Sequence, residues 1–214
     1  AIRGGTVVVD AKKDINNIGA QIKGGNVFLT SKEGSINNIT EVHTSGTDSD
    51  RKTSIGAVAG IVSDGALVMD AAKDINNVGA KLKAGETLAL KAGNNINILS
   101  IQDAEASSKS IKNGRSSTSS VTHMGSVLEA GGNVIMDSGK DTTIKGSDVT
   151  AGGLMYVKTG GDFKLLADQD TTETKTSTSR SGLGVGGGVW GKETVEKTDF
   201  KGTNKASNLS VGSL

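Results

Sequence analysis

Cysteine and proline are both absent from the 214 residues. Without cysteine the chain holds no disulfide and no thiolate metal site, which agrees with passage through a pore in an unfolded state and is also common in the cytosol. Without proline every residue keeps its backbone N–H, so no rung of a stacked sheet loses a ladder donor. Aromatics number five, Phe28, Tyr156, Phe163, Trp190 and Phe200, which suits a narrow core of stacked aliphatics. No apolar run approaches the roughly 18 residues of a transmembrane helix. No signal peptide opens the sequence. The 24 basic and 23 acidic residues leave a net charge of +1, which gives no basic footprint for nucleic acid.

Catalytic signatures are equally scarce. The two histidines, His43 and His123, have no nucleophile or ligand partner near them in sequence, and a solvated surface position is expected for both. Nucleophile-elbow, HExxH and P-loop patterns do not occur. Gly131-Gly132, Gly152-Gly153 and Gly160-Gly161 lack the following Gly and Asp spacing of a calcium-binding nonapeptide repeat. No catalytic residue, cofactor or metal ligand set is predicted.

Present instead are 31 glycines and a repeated phrase. GTVVVDAKKDINNIGAQIKGG at 5–25 returns as GALVMDAAKDINNVGAKLKAG at 65–85, and in looser form as GNVIMDSGKDTTIKGSDVTAGG at 132–153. Self-similarity at a fixed spacing indicates a solenoid. A smaller aliphatic-x-x-Gly mark divides the chain into six coils at 6–25, 26–65, 66–85, 86–132, 133–153 and 154–213. The first, third and fifth have 20, 20 and 21 residues, whereas the others have 40, 47 and 60. Plain coils therefore alternate with coils that carry a long excursion.

Within a plain coil the apolar residues alternate with period two, as in Val7/Val9, Leu67/Met69 and Val134/Met136, which is the strand signal. About twenty residues shared among three short strands and three bends match one rung of a right-handed parallel β-helix, stacked at about 4.8 Å. The predicted fold is all-β: a single β-solenoid domain over 1–214, with excursions at about 40–60, 100–125 and 168–206. Stacking the coils names its core. The first strand points Val7/Val9, Val27/Leu29, Leu67/Met69, Leu88/Leu90, Val134/Met136 and Met155/Val157 inward. The second stacks Ile15, Ile36, Ile75, Ile96, Thr142 and Phe163; the third stacks Ile22, Val62, Leu82, Leu128, Val149 and Leu209.

Two residues beyond the second-strand row stand Asn17, Asn38 and Asn77, then Ile98, Ile144 and Leu165. Asparagines on consecutive rungs bond amide to amide along the axis, so a structural Asn ladder is expected. The same alternation points Val8, Phe28, Val68, Ala89, Ile135 and Tyr156 outward, an apolar stripe that needs a cover. The excursions folding back over it are the first expectation; a partner or membrane surface is the alternative. Val8, Phe28, Val68, Ile135 and Tyr156, with Trp190 from the third excursion, form the candidate interaction surface. The excursions themselves look like hairpins. The second carries Asn113-Gly114 between Ser/Thr-rich arms, and the third runs through a glycine-rich tip.

The pair DAKKDINNIGAQIKGG and DAAKDINNVGAKLKAG, the AGGNV opening at 130–134 and the polar inserts ending in a Gly-rich segment resemble the hemagglutinin repeats of filamentous-hemagglutinin-type exoproteins. Alternating long inserts are most similar to the second repeat block of contact-dependent growth-inhibition toxins. Coil 133–153 departs, with Thr142-Thr143 where Ile-Asn stands elsewhere. The resemblance implies an interior segment of a secreted Gram-negative surface filament, exported by two-partner secretion through an outer-membrane transporter. Its implied partners are a bacterial or host cell surface, including the target outer membrane, and its implied role is to support toxin delivery. A filamentous adhesin shaft is the alternative. A β-helix polysaccharide enzyme is a minor one, for which Asp10, Asp70 and Asp137 are the candidate carboxylates, although such repeat-wide Asp residues are expected to cap bends. Cut ends at Ala1 and Leu214 are expected to associate end to end through unpaired strand edges.

Overall fold

The computed structural model describes residues 1–47 and 50–212; Leu214, and the ending expected there, lies outside them. Three rows of parallel strands, numbered along the chain, build the shaft. The first face stacks β1 (Ile2–Ala11), β3 (Gln21–Ser31), β8 (Leu67–Ala71), β11 (Leu88–Ala92), β16 (Val134–Ser138) and β19 (Met155–Thr159). The second stacks β2 (Ile15–Ile18), β4 (Ile36–Ile39), β9 (Ile75–Val78), β12 (Ile96–Leu99), β17 (Thr142–Lys145) and β20 (Phe163–Leu166). The third begins with the leading parts of β1 and β3 and continues through β7 (Gly60–Ser63), β10 (Lys81–Ala84), β15 (Val127–Ala130), β18 (Asp148–Ala151) and β23 (Asn208–Val211). This is an all-β parallel solenoid.

Side-chain periodicity of two explains the core. Val27, Leu67, Leu88 and Val134 stack in one column of the first face, with Leu29, Met69, Leu90 and Met136 in the next, all shielded from water. Ile36, Ile75 and Ile96 form the second-face column, and Thr142 continues it, its hydroxyl 2.9 Å from that of Ser138. Phe163 occupies the next rung but is exposed, because no described coil lies beyond it.

The third column holds one correction. Ile22 pairs with Ile61, not Val62, and Ile61 is the fully buried residue that stacks on Leu82. Val62 stands beside Lys23 and Lys83 on the outer side. The aliphatic-x-x-Gly mark slips here because Asp64 occupies the place of Gly85, and the glycine comes one residue later. A slip of one residue reverses which face a strand residue occupies.

The corner between the second and third faces decides whether a coil is plain. Its row is Gly19, Thr40, Gly79, Ser100 and Gly146, each N–H donating to a carbonyl of the next coil at 2.8–3.1 Å. In the plain coils the glycines take φ of 55–56°, the left-handed bend that turns the chain straight into the third strand. Thr40 and Ser100 have no such bend, and from these positions the chain leaves the shaft.

Each departure is a two-stranded arm: β5 (Val42–Ser45) with β6 (Lys52–Ile55), β13 (Ile101–Ile111) with β14 (Gly114–Met124), and β21 (Asp168–Gly182) with β22 (Gly191–Lys205). Asn113 turns the second arm with φ 62°, as its Asn-Gly signal implies. The arms do not fold back over the apolar stripe. They leave at a corner that the first face does not share and pair with one another, β6 with β13 and β14 with β21, giving an antiparallel sheet in the order β22-β21-β14-β13-β6-β5. Serine- and threonine-rich strands satisfy their backbone groups this way without an apolar face.

Candidate functional site

Every letter of the DINN phrase has a distinct place. Asp14 Oδ1 accepts from the Ser35 N–H at 2.8 Å, and Asp74 and Asp141 accept from Asn95 and Asp162 in the same way, so each fixes the bend of the next coil. The isoleucines fill the core. The first asparagines form an outer ladder that sequence reasoning missed: Asn37 donates to Asn16, Asn76 to Asn37 and Asn97 to Asn76 at 2.7–2.8 Å. The second asparagines form a buried ladder, in which Asn17 donates to Asn38 and Asn38 to Asn77, both at 2.7 Å. Asn77 then donates to the Ala80 carbonyl, and Ile98 and Ile144 carry the column on as apolar core. The doubled INN was the signal for the outer ladder, because consecutive strand residues point to opposite faces.

Asp10, Asp70 and Asp137 neither cap bends nor converge in a groove. They lie in one outward row of the first face, with Lys32, Lys91 and Lys158 of following coils at 2.9, 3.8 and 3.5 Å. Exposed pairs of this kind add little stability; their consequence is a shaft surface of alternating sign.

His123 is also misplaced by the sequence reading. It is nearly buried at the root of the second arm, its backbone N–H donating to Asp170 Oδ1 at 2.7 Å and its Nδ1 3.0 Å from the same oxygen. Beside it Asp168, the first residue of the third arm, receives the Lys145 ammonium at 2.6 Å and a hydrogen bond from the Ser100 hydroxyl. Ser100 immediately precedes the second arm, His123 lies near the end of its returning strand, and Lys145 ends the second strand of the plain coil between the two arms. The cluster therefore joins two arm roots to the shaft. His43 is exposed on the first arm, 3.7 Å from Glu41.

Burial alone would raise the Asp168 carboxyl, but hydrogen bonds from Lys145 and Ser100, with the charges of His123 and Lys145, outweigh it and hold it below the usual carboxylate range. A carboxyl depressed in the folded state stabilises above its unfolded value, 3.8, and loses that contribution as pH falls through its folded value. Asp168→Asn is expected to cost about 2 kcal/mol at neutral pH through lost charged hydrogen bonds. It should also flatten the acid limb of stability below pH 3.8, read by thermal melts from pH 2 to pH 7. Melts that keep the wild-type pH slope would show that the cluster is not coupled to folding.

The stripe of the first face is open. Val8 and Tyr156 are 67% and 49% exposed, Phe28 is at the edge of exposure, and Val68, Ala89 and Ile135 between them are half-buried by their neighbours in the row. A second apolar group lies at the tip of the third arm, where Leu183, Val189 and Trp190 are 75%, 87% and 71% exposed around a turn at Val185–Gly187. Gly184, Gly186 and Gly187 take positive φ there. This arm continues past the second: Thr178 is level with Gly114 at the second arm's turn, and Gly182 lies beyond it. No helix among the described residues is long and apolar enough to cross a membrane.

A parallel solenoid with stacked polar ladders, lateral arms and apolar groups exposed on its first face and at an arm tip defines a filament-like repeat module. The chain belongs to the hemagglutinin-repeat family, whose pattern matches residues 40–116 and again 107–212. It is similar to the tRNA nuclease CdiA of Escherichia coli O6:K15:H31 (strain 536 / UPEC), 34% identical over 188 residues, which are 80% of this chain and 6% of that protein. The tRNA nuclease CdiA of Escherichia coli (strain STEC_O31) is 29% identical over 175 residues, 79% of this chain and 5% of its own length. The 16S rRNA endonuclease CdiA of Enterobacter cloacae subsp. cloacae is 43% identical over 89 residues, 37% of this chain and 2% of that protein. The chain thus spans about one-twentieth of the length of these two Escherichia coli relatives. No solved structure matches it. The family is one of secreted, surface-exposed exoproteins of Gram-negative bacteria.

Proposed function

We propose that this chain is an extracellular shaft segment of a contact-dependent growth-inhibition toxin, and that its third arm engages the target outer membrane during toxin delivery. The relatives carry toxin nuclease names rather than adhesin names, which favours this reading over an attachment shaft. Such nuclease chemistry is assigned to other parts of the full-length protein, with the repeats acting mechanically and by contact.

The observation that carries the membrane reading is the tip of the third arm. Leu183, Val189 and Trp190 are held in water at the end of a hairpin whose two strands have fifteen residues each, where burial would contribute nothing to folding of the shaft. A Trp flanked by small residues and aliphatics suits the headgroup boundary, its ring apolar and its indole N–H wet. The open stripe at Val8, Phe28 and Tyr156 offers a second, weaker contact along the shaft. Burying an aliphatic or aromatic side chain is worth about 1.5–3 kcal/mol.

Flotation with outer-membrane vesicles tests this. Wild-type chain is expected in the floating fraction, and a variant carrying Leu183→Ser, Val189→Ser and Trp190→Ser should partition at least about 100-fold less by that burial. Its thermal midpoint should not move, because the three side chains touch no core. Phe28→Ser with Tyr156→Ser should weaken flotation less. Equal flotation of the tip variant, or none of the wild type, would rule the reading out.

A further inference from the structure

Two spacings in this fold agree. Stacked coils advance the shaft by about 4.8 Å each, so one interrupted and one plain coil together advance it by about 9.6 Å. A two-stranded arm occupies about 9.6 Å of sheet width at the same inter-strand spacing. One arm on every second coil is therefore the density at which hairpins pave a continuous sheet beside the shaft. An arm on every coil would need about twice the available width, and an arm on every third would leave a gap of about one strand.

The described arms pave it in one direction. The returning strand of each arm receives the outgoing strand of the next. β6 takes β13 through the Glu105–Lys52 pair and the Ala106 N–H donating to Arg51 at 2.7 Å. β14 takes β21 continuously from Gly114–Thr178 to Val121–Thr171, with a further bond from the Ser179 N–H to the Asn113 carbonyl at 2.7 Å. β22 is the returning strand of the third arm. Its pairing with β21 is unbroken from Gly191 to Lys205, and on its other side it has no strand partner among the described residues. Proline and bulges, two devices that close a natural sheet edge, are missing from it. Its charges are of both signs, Lys192, Lys197, Lys201 and Lys205 against Glu193, Glu196 and Asp199, so it does not repel strands of one charge class wholesale.

The occupant follows from continuity with the two arm-to-arm interfaces already formed. The family pattern occurs twice in this chain, and the relatives are many times longer. We propose that the free edge of β22 is the acceptor for the outgoing strand of a further hemagglutinin-repeat arm, so that arms from alternate coils zip into one antiparallel sheet running beside the shaft. Register between arms, rather than the coil core alone, then resists twisting and slippage of one coil pair against the next.

The test adds a synthetic hairpin with the sequence of residues 101–124 to the intact chain and follows amide hydrogen exchange residue by residue. With the hairpin about ten times above its Kd, every second amide of β22 between Lys192 and Thr203 is expected to exchange about tenfold more slowly, while amides of the coil ends do not change. A scrambled hairpin of the same composition should have no such effect. Protection confined to β5 or to the coil ends, equal protection by the scrambled peptide, or no protection overturns the proposal. Sedimentation of the chain without peptide closes the remaining route: a dimer formed through β22 would make a second copy the occupant and overturn it as well. None of these readouts depends on membrane binding.

Discussion

Gly79→Val is expected to lower the thermal midpoint by about 10 °C. Two costs act together. Gly79 has a φ of 55°, and an L-residue in the left-handed region costs about 1–2 kcal/mol, more for a β-branched one. A Cβ built there would lie 2.2 Å from Cγ2 and 2.6 Å from Cβ of Ile101, so the first residue of the second arm must move. Overpacking of this kind costs about 1–3 kcal/mol. Their sum, about 4 kcal/mol, corresponds to about 10 °C in a chain of this size. Gly5→Ala is the control, since nothing lies within 4 Å of its would-be Cβ and its φ is ordinary; it should shift the midpoint by no more than about 2 °C. If Gly79→Val behaved like Gly5→Ala, the left-handed corner could not be what separates plain from interrupted coils.

Asn38→Leu is the second large effect, although the change resembles what the chain itself does at Ile98 and Leu165. Asn38 is fully buried, accepts from Asn17 and donates to Asn77, so the leucine strands Asn77 Oδ1 without its donor inside the core. Asn17 loses its acceptor but keeps the Ala20 carbonyl at 2.9 Å. One unsatisfied buried group costs about 1–3 kcal/mol, and the two bulkier methyl groups must also be fitted, so a loss of about 3 kcal/mol is expected by denaturant titration. Changing Asn77 to leucine in the same chain should cost less than the two single losses added, because the stranded oxygen goes with it. Strict additivity would mean that the amides stabilise separately and not as a ladder.

Much of this architecture could be read from period-two alternation and the repeated bend glycines. Val27, Leu67, Leu88 and Val134 stack as the repeats align them, and so do Asn17, Asn38 and Asn77, because in-register stacking follows directly from self-similarity. Ile61 was missed because a glycine displaced by one residue shifts the mark but not the hydrogen-bond register. The pairing of arms was illegible for a different reason. Ser/Thr-rich strands such as β14 and β21 carry no apolar stripe to identify a neighbour, and their contact is set by the height at which each leaves the shaft. His123 and Asp168 meet for the same reason: they are 45 residues apart in sequence and are joined only by the stacking of coils.

The corner at Gly19, Gly79 and Gly146 has one more consequence, for inheritance. Chain length varies at this point, between 20 and 60 residues per coil, while the rows above and below keep their partners. A gene segment duplicated in blocks of one plain and one interrupted coil would keep every row intact wherever its joints fell. The number of coils and the sequence of the arms are thus free to diverge separately.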